Sequence, residues 1–384
     1  MAHVAYGVAG EGRGHAARAL ALIEAIRSRH RVEVWASGHA LELLSAAHPP
    51  GAAVRVRALP PVEFRYTRAR RVDYVRTFVE NVPYMARLGE LVRRTSRALE
   101  ASRADLVISD FEPVLARAAR EARIPLVSLD HQQFLVHCDL SALPLALRAY
   151  AAFMAPFVRG FCSGQRESIV SSFFEADLAP GARAVTQVGV LLRREVRDAR
   201  PSRGAHLVAY LRRDSASRAL DALARCGAPV RVYGLGAQRS QGRLSFLPVH
   251  PTRFVDDLAT ARGLVTTAGN QLVGEALWLT KPVLAIPEPG NHEQRINAWF
   301  LERTGAGRRI EIEQLDASWV RRFLDDEGEL AASIAPHRRD GTALAVARIE
   351  HHLEHAVEEP CGERSRSFAT SLVAALASPS DHAS

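Results

Sequence analysis

Residues 266–298 read TTAGNQLVGEALWLTKPVLAIPEPGNHEQRINA, and the alternation in this stretch sets the reading of the whole chain. It opens on the end of an apolar run, RGLVTTA (262–268), which is short and β-branched enough for a buried strand. A turn of small residues follows. LVGEALWL then places apolar side chains at helical spacing. KPVLAIP (281–287) is a second strand, bounded by prolines, and HEQRINAWFLERTG a second helix. Strand, helix, strand and helix in so short a span indicate parallel βαβ units.

The same rhythm extends upstream. AHLVAYL (205–211), PVRVYGL (229–235) and RLSFLPV (243–249) read as strands, with helices at SASRALDALARC and TRFVDDLATA. It also runs through the first third of the chain. Strands are expected at AHVAYGV (2–8), RVEVWAS (31–37), VRVRALP (54–60), ADLVISD (104–110) and PLVSLD (125–130). Helices alternate with them, the longest near 74–101. A polar segment with Pro201 and Gly204 separates the two series. The expected organisation is therefore α/β, with two Rossmann-like domains facing each other across a cleft. Residues 1–193 form the first, 194–204 a linker, 205–358 the second with a C-terminal helix, and 359–384 a loosely ordered tail.

Net charge is +8 with a pI of about 9.8. Lys281 is the only lysine, so 49 of the 50 basic residues are arginine. A GC-rich genome explains such a bias; an anionic partner is the functional alternative. The arginines are spread along the chain and aromatics make up only 7%, which argues against a nucleic-acid groove. The four cysteines, Cys138, Cys162, Cys226 and Cys361, are far apart, which favours reduced thiols in the cytosol. No leader pattern opens the chain, and no apolar run is long enough to span a membrane.

Three places carry candidate chemistry. Gly10-Glu11-Gly12-Arg13-Gly14-His15 joins the first strand to the first helix. Gly12 and Gly14 let the backbone approach a ligand at a helix N-terminus. The spacing is wrong for a dinucleotide fingerprint, and the second strand ends in Ala36-Ser37-Gly38 with no acidic residue. His15 would face the cleft, where an imidazole serves as a general base; capping the helix is its structural alternative. Asp110 ends a later strand and could orient His15, or could equally cap the helix that follows. Asp130-His131-Gln132-Gln133 ends the next strand; it could line the same cleft, but reads mainly as a loop.

The third place is the opening stretch itself. A strand, the turn Thr267-Ala268-Gly269-Asn270 and a helix N-terminus form a diphosphate site. Glu275 lies one and a half turns into that helix, where a carboxylate can take both hydroxyls of a ribose. Glu293 and Gln294 open the next helix and offer polar atoms to sugar hydroxyls.

AGNQLVGEALWLTKPVLAIPEPGNHEQRINAWFLERTGAG (268–307), GEGRGHAAR (10–18) and ADLVISDFEP (104–113) together resemble the GT-B glycosyltransferases. The similarity is greatest to the bacterial and archaeal family related to the peptidoglycan enzyme MurG and to the UDP-glycosyltransferases, and it spans residues 4–310. It implies that Glu275 binds the nucleotide ribose, Glu293 and Gln294 the donor sugar, and the Gly269-Asn270 turn the diphosphate. It implies that His15 is a base or an acceptor-binding residue, supported by Asp110. A C-terminal helix crossing back onto the first domain is a further family feature. Two departures stand out. The phosphate turn is Ala268-Gly269-Asn270, and Leu211-Arg212-Arg213-Asp214-Ser215 replaces the family's serine/glycine loop. Arg212 or Arg213 could supply charge there, or be merely solvated.

The expected activity is transfer of a sugar from a nucleotide-sugar, UDP-linked, to an acceptor hydroxyl with inversion and without a metal or other cofactor. A nucleotide-sugar 2-epimerase and a non-catalytic nucleotide-sugar-binding protein are the alternatives. The acceptor is left open between lipid, glycan and small natural product. The expected location is cytoplasmic, with the basic apolar segment 142–162 a candidate peripheral contact to the inner membrane face or else a cleft-lining helix. Arg13, Arg212, Arg213 and Arg295 are the arginines expected near the cleft, with Arg148 and Arg159 a membrane-facing pair. His351 and His355 have helical metal spacing but no evident third ligand.

Overall fold

The computed structural model describes residues 1–61, 74–212 and 216–355. The first unit runs β1 (His3–Val8), α1 (Arg13–Ile26), β2 (Arg31–Ala36), α2 (Gly38–Ala47), β3 (Arg55–Ala58), α3 (Tyr74–Ser102), β4 (Leu106–Asp110), α4 (Pro113–Glu121), β5 (Leu126–Asp130), α5 (Phe134–His137), α6 (Leu145–Phe161), β6 (Glu167–Ser171) and β7 (Val185–Val188). A short helix, α7 (Arg194–Asp198), then leads to the second unit. That unit runs β8 (Leu207–Tyr210), α8 (Ala216–Ala224), β9 (Val230–Tyr233), β10 (Leu244–Phe246), α9 (Pro251–Ala259), β11 (Leu264–Thr266), α10 (Asn270–Trp278), β12 (Val283–Ala285), α11 (His292–Arg303), β13 (Gly307–Arg309), α12 (Ala317–Asp325) and α13 (Glu327–Ala332). The last described helix is α14 (Thr342–Glu354).

Both sheets are parallel, with orders β3-β2-β1-β4-β5-β6-β7 and β10-β9-β8-β11-β12-β13. Helices cover both faces of each, which is why most central strands are continuous apolar runs. In the first sheet the order reverses between β1 and β4; in the second it reverses between β8 and β11. Such a reversal opens a crevice at the carboxyl ends of the strands, because the flanking connections leave on opposite faces. The turns after β1, β4, β8 and β11 are the ones that carry the candidate residues.

Three strands escaped the sequence pattern. β6 reads ESIVS, β7 VTQV and β13 GRR, too short or too polar to announce burial. The polar segment at 194–204 also holds α7, anchored by the buried Val196. Segment 142–162 becomes α6, which buries Leu147, Ala151 and Val158. Arg213, Asp214 and Ser215, and the tail expected at 359–384, lie outside the described residues.

The last described helix packs on the first unit. Along α14, Glu350 meets His30 at 2.8 Å and Arg29 at 2.9 Å, while Arg348 and His352 hold Glu167 of β6. One apolar cluster also spans both units: Phe134, Phe173 and Phe174 of the first share it with Ile296, Ala298 and Leu301 of the second. The Phe174 ring stacks on Phe300 with centroids 3.8 Å apart.

Candidate functional site

A cavity of about 990 Å³ opens between the units at the carboxyl ends of both sheets. Its first wall is the turn from β1 into α1. Gly12 is the N-cap of α1 with φ 81°, a left-handed conformation that glycine adopts without strain. No atom lies within 4 Å of where a Gly12 Cβ would sit, so bare backbone faces the cleft. Gly14 lies beside it and approaches Gln271 of α10 from across the cleft.

His15 follows in the first turn of α1, and its Nδ1 lies 2.7 Å from Asp110 Oδ1 at the end of β4. Asp110 does not cap α4. That role belongs to Glu112, whose carboxylate accepts from the Val114 and Leu115 amides at 3.1 and 2.6 Å. Arg18 holds Asp110 from below: Nε donates to Oδ2 at 2.8 Å and a terminal nitrogen donates to Oδ1 at 2.7 Å. Burial pushes the Asp110 carboxyl up, but Arg18 and His15 together outweigh it and hold the group below its ordinary value. Asp110 is therefore an ionised acceptor. In the tautomer that donates to it from Nδ1, the His15 Nε2 keeps its lone pair.

The second wall is the turn from β11 into α10. Gly269 is the N-cap of α10, and Thr267 lines the cavity beside it. Ala268 has φ 64°, and its carbonyl accepts from Asn297 Nδ2 at 3.1 Å. The Asn270 side chain is not turned to the cleft as a ligand. Its Oδ1 accepts from the Phe173 amide at 3.1 Å and its Nδ2 donates to the Ser171 carbonyl at 3.0 Å, binding the two units together. The contribution of this turn to anion binding is thus the helix N-terminus and its backbone N–H groups.

Glu275 lines the cleft at 3% exposure. One of its oxygens accepts from Gln271 Nε2 at 3.1 Å, and the other lies 3.5 Å from an Arg193 terminal nitrogen. Glu293, on the first turn of α11, faces back across the cleft toward His15. Burial raises its carboxyl, Glu11 adds to this, and His15, Gln132 and Arg18 oppose it. Gln294 is committed locally: its carbonyl accepts from the Glu288 amide at 2.8 Å and its NH2 donates to the Glu288 carboxylate at 3.1 Å. It shapes the 288–291 loop and lines the cavity as well.

Among the expected arginines, Arg13 and Arg212 line the cleft, and Arg212 lies 3.5 Å from Glu288. Arg295 does not line it and pairs with Glu311 at 2.8 Å. Lys281 is buried away from the cleft, donating to the Ser202 carbonyl at 2.6 Å. Burial lowers its pKa to about 8 against the opposing pull of Glu327. His355 turns its Nδ1 to the His351 carbonyl at 2.8 Å. Among the described residues no cluster of three His, Cys, Asp or Glu is placed to hold a metal ion, and no helix is long and apolar enough to cross a membrane.

Two residues that contact the expected site residues escaped the sequence reading. Arg18 was hidden in an apolar helical run, though it stands three residues after His15 and so shares its helix face. Arg193 lay in the presumed boundary, with nothing local to link it to Glu275, which is 82 residues away.

The model of glycosyl transferase family 1 matches residues 2–326. One relative is the UDP-N-acetylglucosamine–N-acetylmuramyl-(pentapeptide) pyrophosphoryl-undecaprenol N-acetylglucosamine transferase of Paenarthrobacter aurescens (strain TC1). It is 27% identical over 361 residues, covering 90% of this chain and 93% of that protein. Among solved structures, LpCGTa in complex with UDP superposes with a TM-score of 0.62 at 18% identity, covering 93% of this chain and 100% of that one. MurG of Acinetobacter baumannii superposes with a TM-score of 0.58 at 14% identity, covering 91% and 100%. Two parallel-sheet units around one cleft, and a family match across most of the chain, lead to one conclusion: the chain belongs to glycosyl transferase family 1 and is a glycosyltransferase of the GT-B fold.

Proposed function

We propose that the protein transfers a sugar from a UDP-linked donor to an acceptor hydroxyl, with inversion and without a metal. The observation that carries this is the sharing of one cleft by the His15–Asp110 pair and the α10 N-terminus with Glu275. The relatives support the donor class: one is named for a UDP-sugar substrate and another was solved with UDP.

In this mechanism His15 Nε2 takes the acceptor proton as the acceptor oxygen attacks the anomeric carbon. The bond from that carbon to the diphosphate oxygen breaks, and its electron pair leaves with UDP. One displacement inverts the centre. Asp110 stabilises the imidazolium that forms. The α10 N-terminus and the Arg193 guanidinium meet the growing charge on the diphosphate. Glu275 takes the ribose, and Glu293 a sugar hydroxyl. Leu135, Met154 and Val158 line the first unit's side of the cleft, which suits an acceptor with an apolar body. Segment 142–162 makes a peripheral membrane contact in this reading, because α6 leaves Leu145 and Phe153 exposed together with Arg148 and Arg159.

A donor screen by thermal shift tests the assignment, followed by two variants. UDP-sugars raise the melting temperature, and Glu275→Ala abolishes that shift. His15→Ala keeps donor affinity by calorimetry but slows transfer by roughly 10²–10⁴. No shift with any nucleotide-sugar removes the donor assignment; full turnover in His15→Ala removes the base.

A further inference from the structure

α6 runs along the cleft, and both of its contacts with the chemistry are aromatic. Tyr150, Met154, Val158 and Phe161 stand at i, i+4, i+8 and i+11 of this helix, so they share one face, and all four line the cavity. At the C-terminal end Phe161 stacks on Phe111, with centroids 4.5 Å apart and planes 12° from parallel. Phe111 directly follows Asp110, the partner of His15, and has φ 53°, a left-handed conformation that a bulky residue keeps only under constraint. The constraint comes from both neighbours: Asp110 is tied to Arg18 and His15, and Glu112 caps α4. Nearer the N-terminus Tyr150 stacks on His292, with centroids 4.7 Å apart and planes 29° from parallel. His292 is the first residue of α11 and directly precedes Glu293. This second stack crosses the cleft, because α6 belongs to the first unit and α11 to the second. At 1.5 Å per residue the two stacks are about 16 Å apart, so the helix itself links them.

We propose that Tyr150 is a positioning residue: its ring, stacked on His292, holds the first turn of α11 so that Glu293 meets the donor sugar. This rests on the reading of Glu293 as the sugar contact. Within the second unit, the loop before α11 is shaped by the Asn291 cap and by the bonds between Gln294 and Glu288. Those bonds fix the form of the loop; its reach toward the first unit is set from across the cleft, by the Tyr150 ring. A helix end frays, and a hydrogen bond to a hydroxyl weakens within a few tenths of an ångström. Stacked rings fix both the distance and the tilt of His292, and through it the turn that carries Glu293. The nucleotide half of the site stands apart from this contact. Glu275 and the α10 N-terminus are held by Gln271, and by the bonds of Asn270 to Ser171 and Phe173. Tyr150 therefore acts on the sugar and leaves the nucleotide alone.

Calorimetry with two probes tests this without an acceptor: UDP, and the UDP-sugar that gives the largest thermal shift in wild type. The ratio of the two affinities isolates the sugar contact. Tyr150→Ala is expected to turn that ratio against the UDP-sugar by roughly 2- to 10-fold, the range of one stacked pair, with UDP affinity unchanged. Tyr150→Phe keeps the ring and the wild-type ratio. In a Glu293→Ala background, Tyr150→Ala changes the ratio no further, because the contact it positions is already gone. Should Tyr150→Ala not fold, Tyr150→Leu fills the space without a ring and carries the same expectations. A wild-type ratio in the ringless variant overturns the proposal. An equal loss of UDP and UDP-sugar marks a merely structural role and overturns it too, as does an undiminished effect in the Glu293→Ala background. If Glu293→Ala alone leaves the ratio in place, Glu293 has no sugar contact and Tyr150 nothing to position. A wild type that binds neither probe removes the donor assignment itself, and this role with it.

Discussion

Arg18 and His15 leave the same face of α1 toward Asp110, and burial makes each of the three depend on the others. Burial disfavours the Arg18 charge, but Asp110 more than offsets this and keeps the guanidinium protonated. Removing one partner leaves the other as an uncompensated buried charge. Arg18→Met is therefore expected to destabilise the fold by about 3–5 kcal/mol near neutral pH. Asp110, held low in the wild type, stabilises the fold above its unfolded pKa of about 4. Without Arg18 its pKa rises, so the deficit grows with pH and shrinks as Asp110 takes up a proton. Urea unfolding at pH 5 and pH 8 checks this; an equal loss at both would assign it to packing alone. The pairing of His15 with Asp110 was legible, because His15 opens the helix after the first strand and Asp110 ends a later one, both on the carboxyl side of a parallel sheet. Arg18 was not, because periodicity separates apolar from polar and says nothing about which charge is paired inside.

One carboxylate of the first unit, Glu167, holds α14 at three points besides the Glu350 contacts. Glu167 accepts from Thr186 Oγ1 at 2.5 Å, Arg348 Nε at 3.0 Å and His352 Nε2 at 2.7 Å. Burial raises its pKa, but His352, Arg348 and Thr186 outweigh this and bring it down to about 2. A depressed carboxylate stabilises the fold above its unfolded pKa, about 4.3, and that contribution is lost as pH falls toward 2. Glu167→Gln is expected to lower stability by about 1–3 kcal/mol at pH 7, with the gap to wild type closing below pH 4. Melting curves across that range measure it, and a pH-independent gap would deny the ion pairs their role. The same residue explains why β6 was missed. A glutamate inside a short strand contradicts a buried pattern until an arginine and a histidine from a helix 181 and 185 residues away are known to meet it.

Across the whole molecule, the units are joined by polar bonds as well as apolar packing. Asn270 reaches Ser171 and Phe173, and Asn297 reaches His131 Nε2 at 2.9 Å. Burial pushes His131 down to about 3, so this bond stays between neutral groups across the working pH range. The residues sequence read as a loop after β5 are therefore part of the joint between units. On the outer side, α6 leaves Leu145 71% and Phe153 40% exposed, next to Arg148 and Arg159. Co-sedimentation with anionic phospholipid vesicles should retain the protein at low salt and release it at high salt. Replacing Arg148 and Arg159 by glutamine removes two charges at about 1 kcal/mol each and should lower the vesicle partition coefficient by roughly 30-fold. Equal retention of the variant would remove the membrane contact.

The sequence by itself determined the two αβ series, the glycine-rich turn before His15, the aspartate at the end of β4 and the turn-and-helix pattern at 266–298. All of these are local: they follow from burial periodicity and from what a glycine or a helix N-terminus does within a few residues. Tertiary structure decided which side chains meet. It joined His15 to Asp110 over 95 residues, brought Arg193 to Glu275, and gave the Asn270 and Gln294 side chains hydrogen-bond partners within the protein. A polar side chain takes the partner that three-dimensional approach offers, and its charge is settled by burial and neighbours that no stretch of sequence contains.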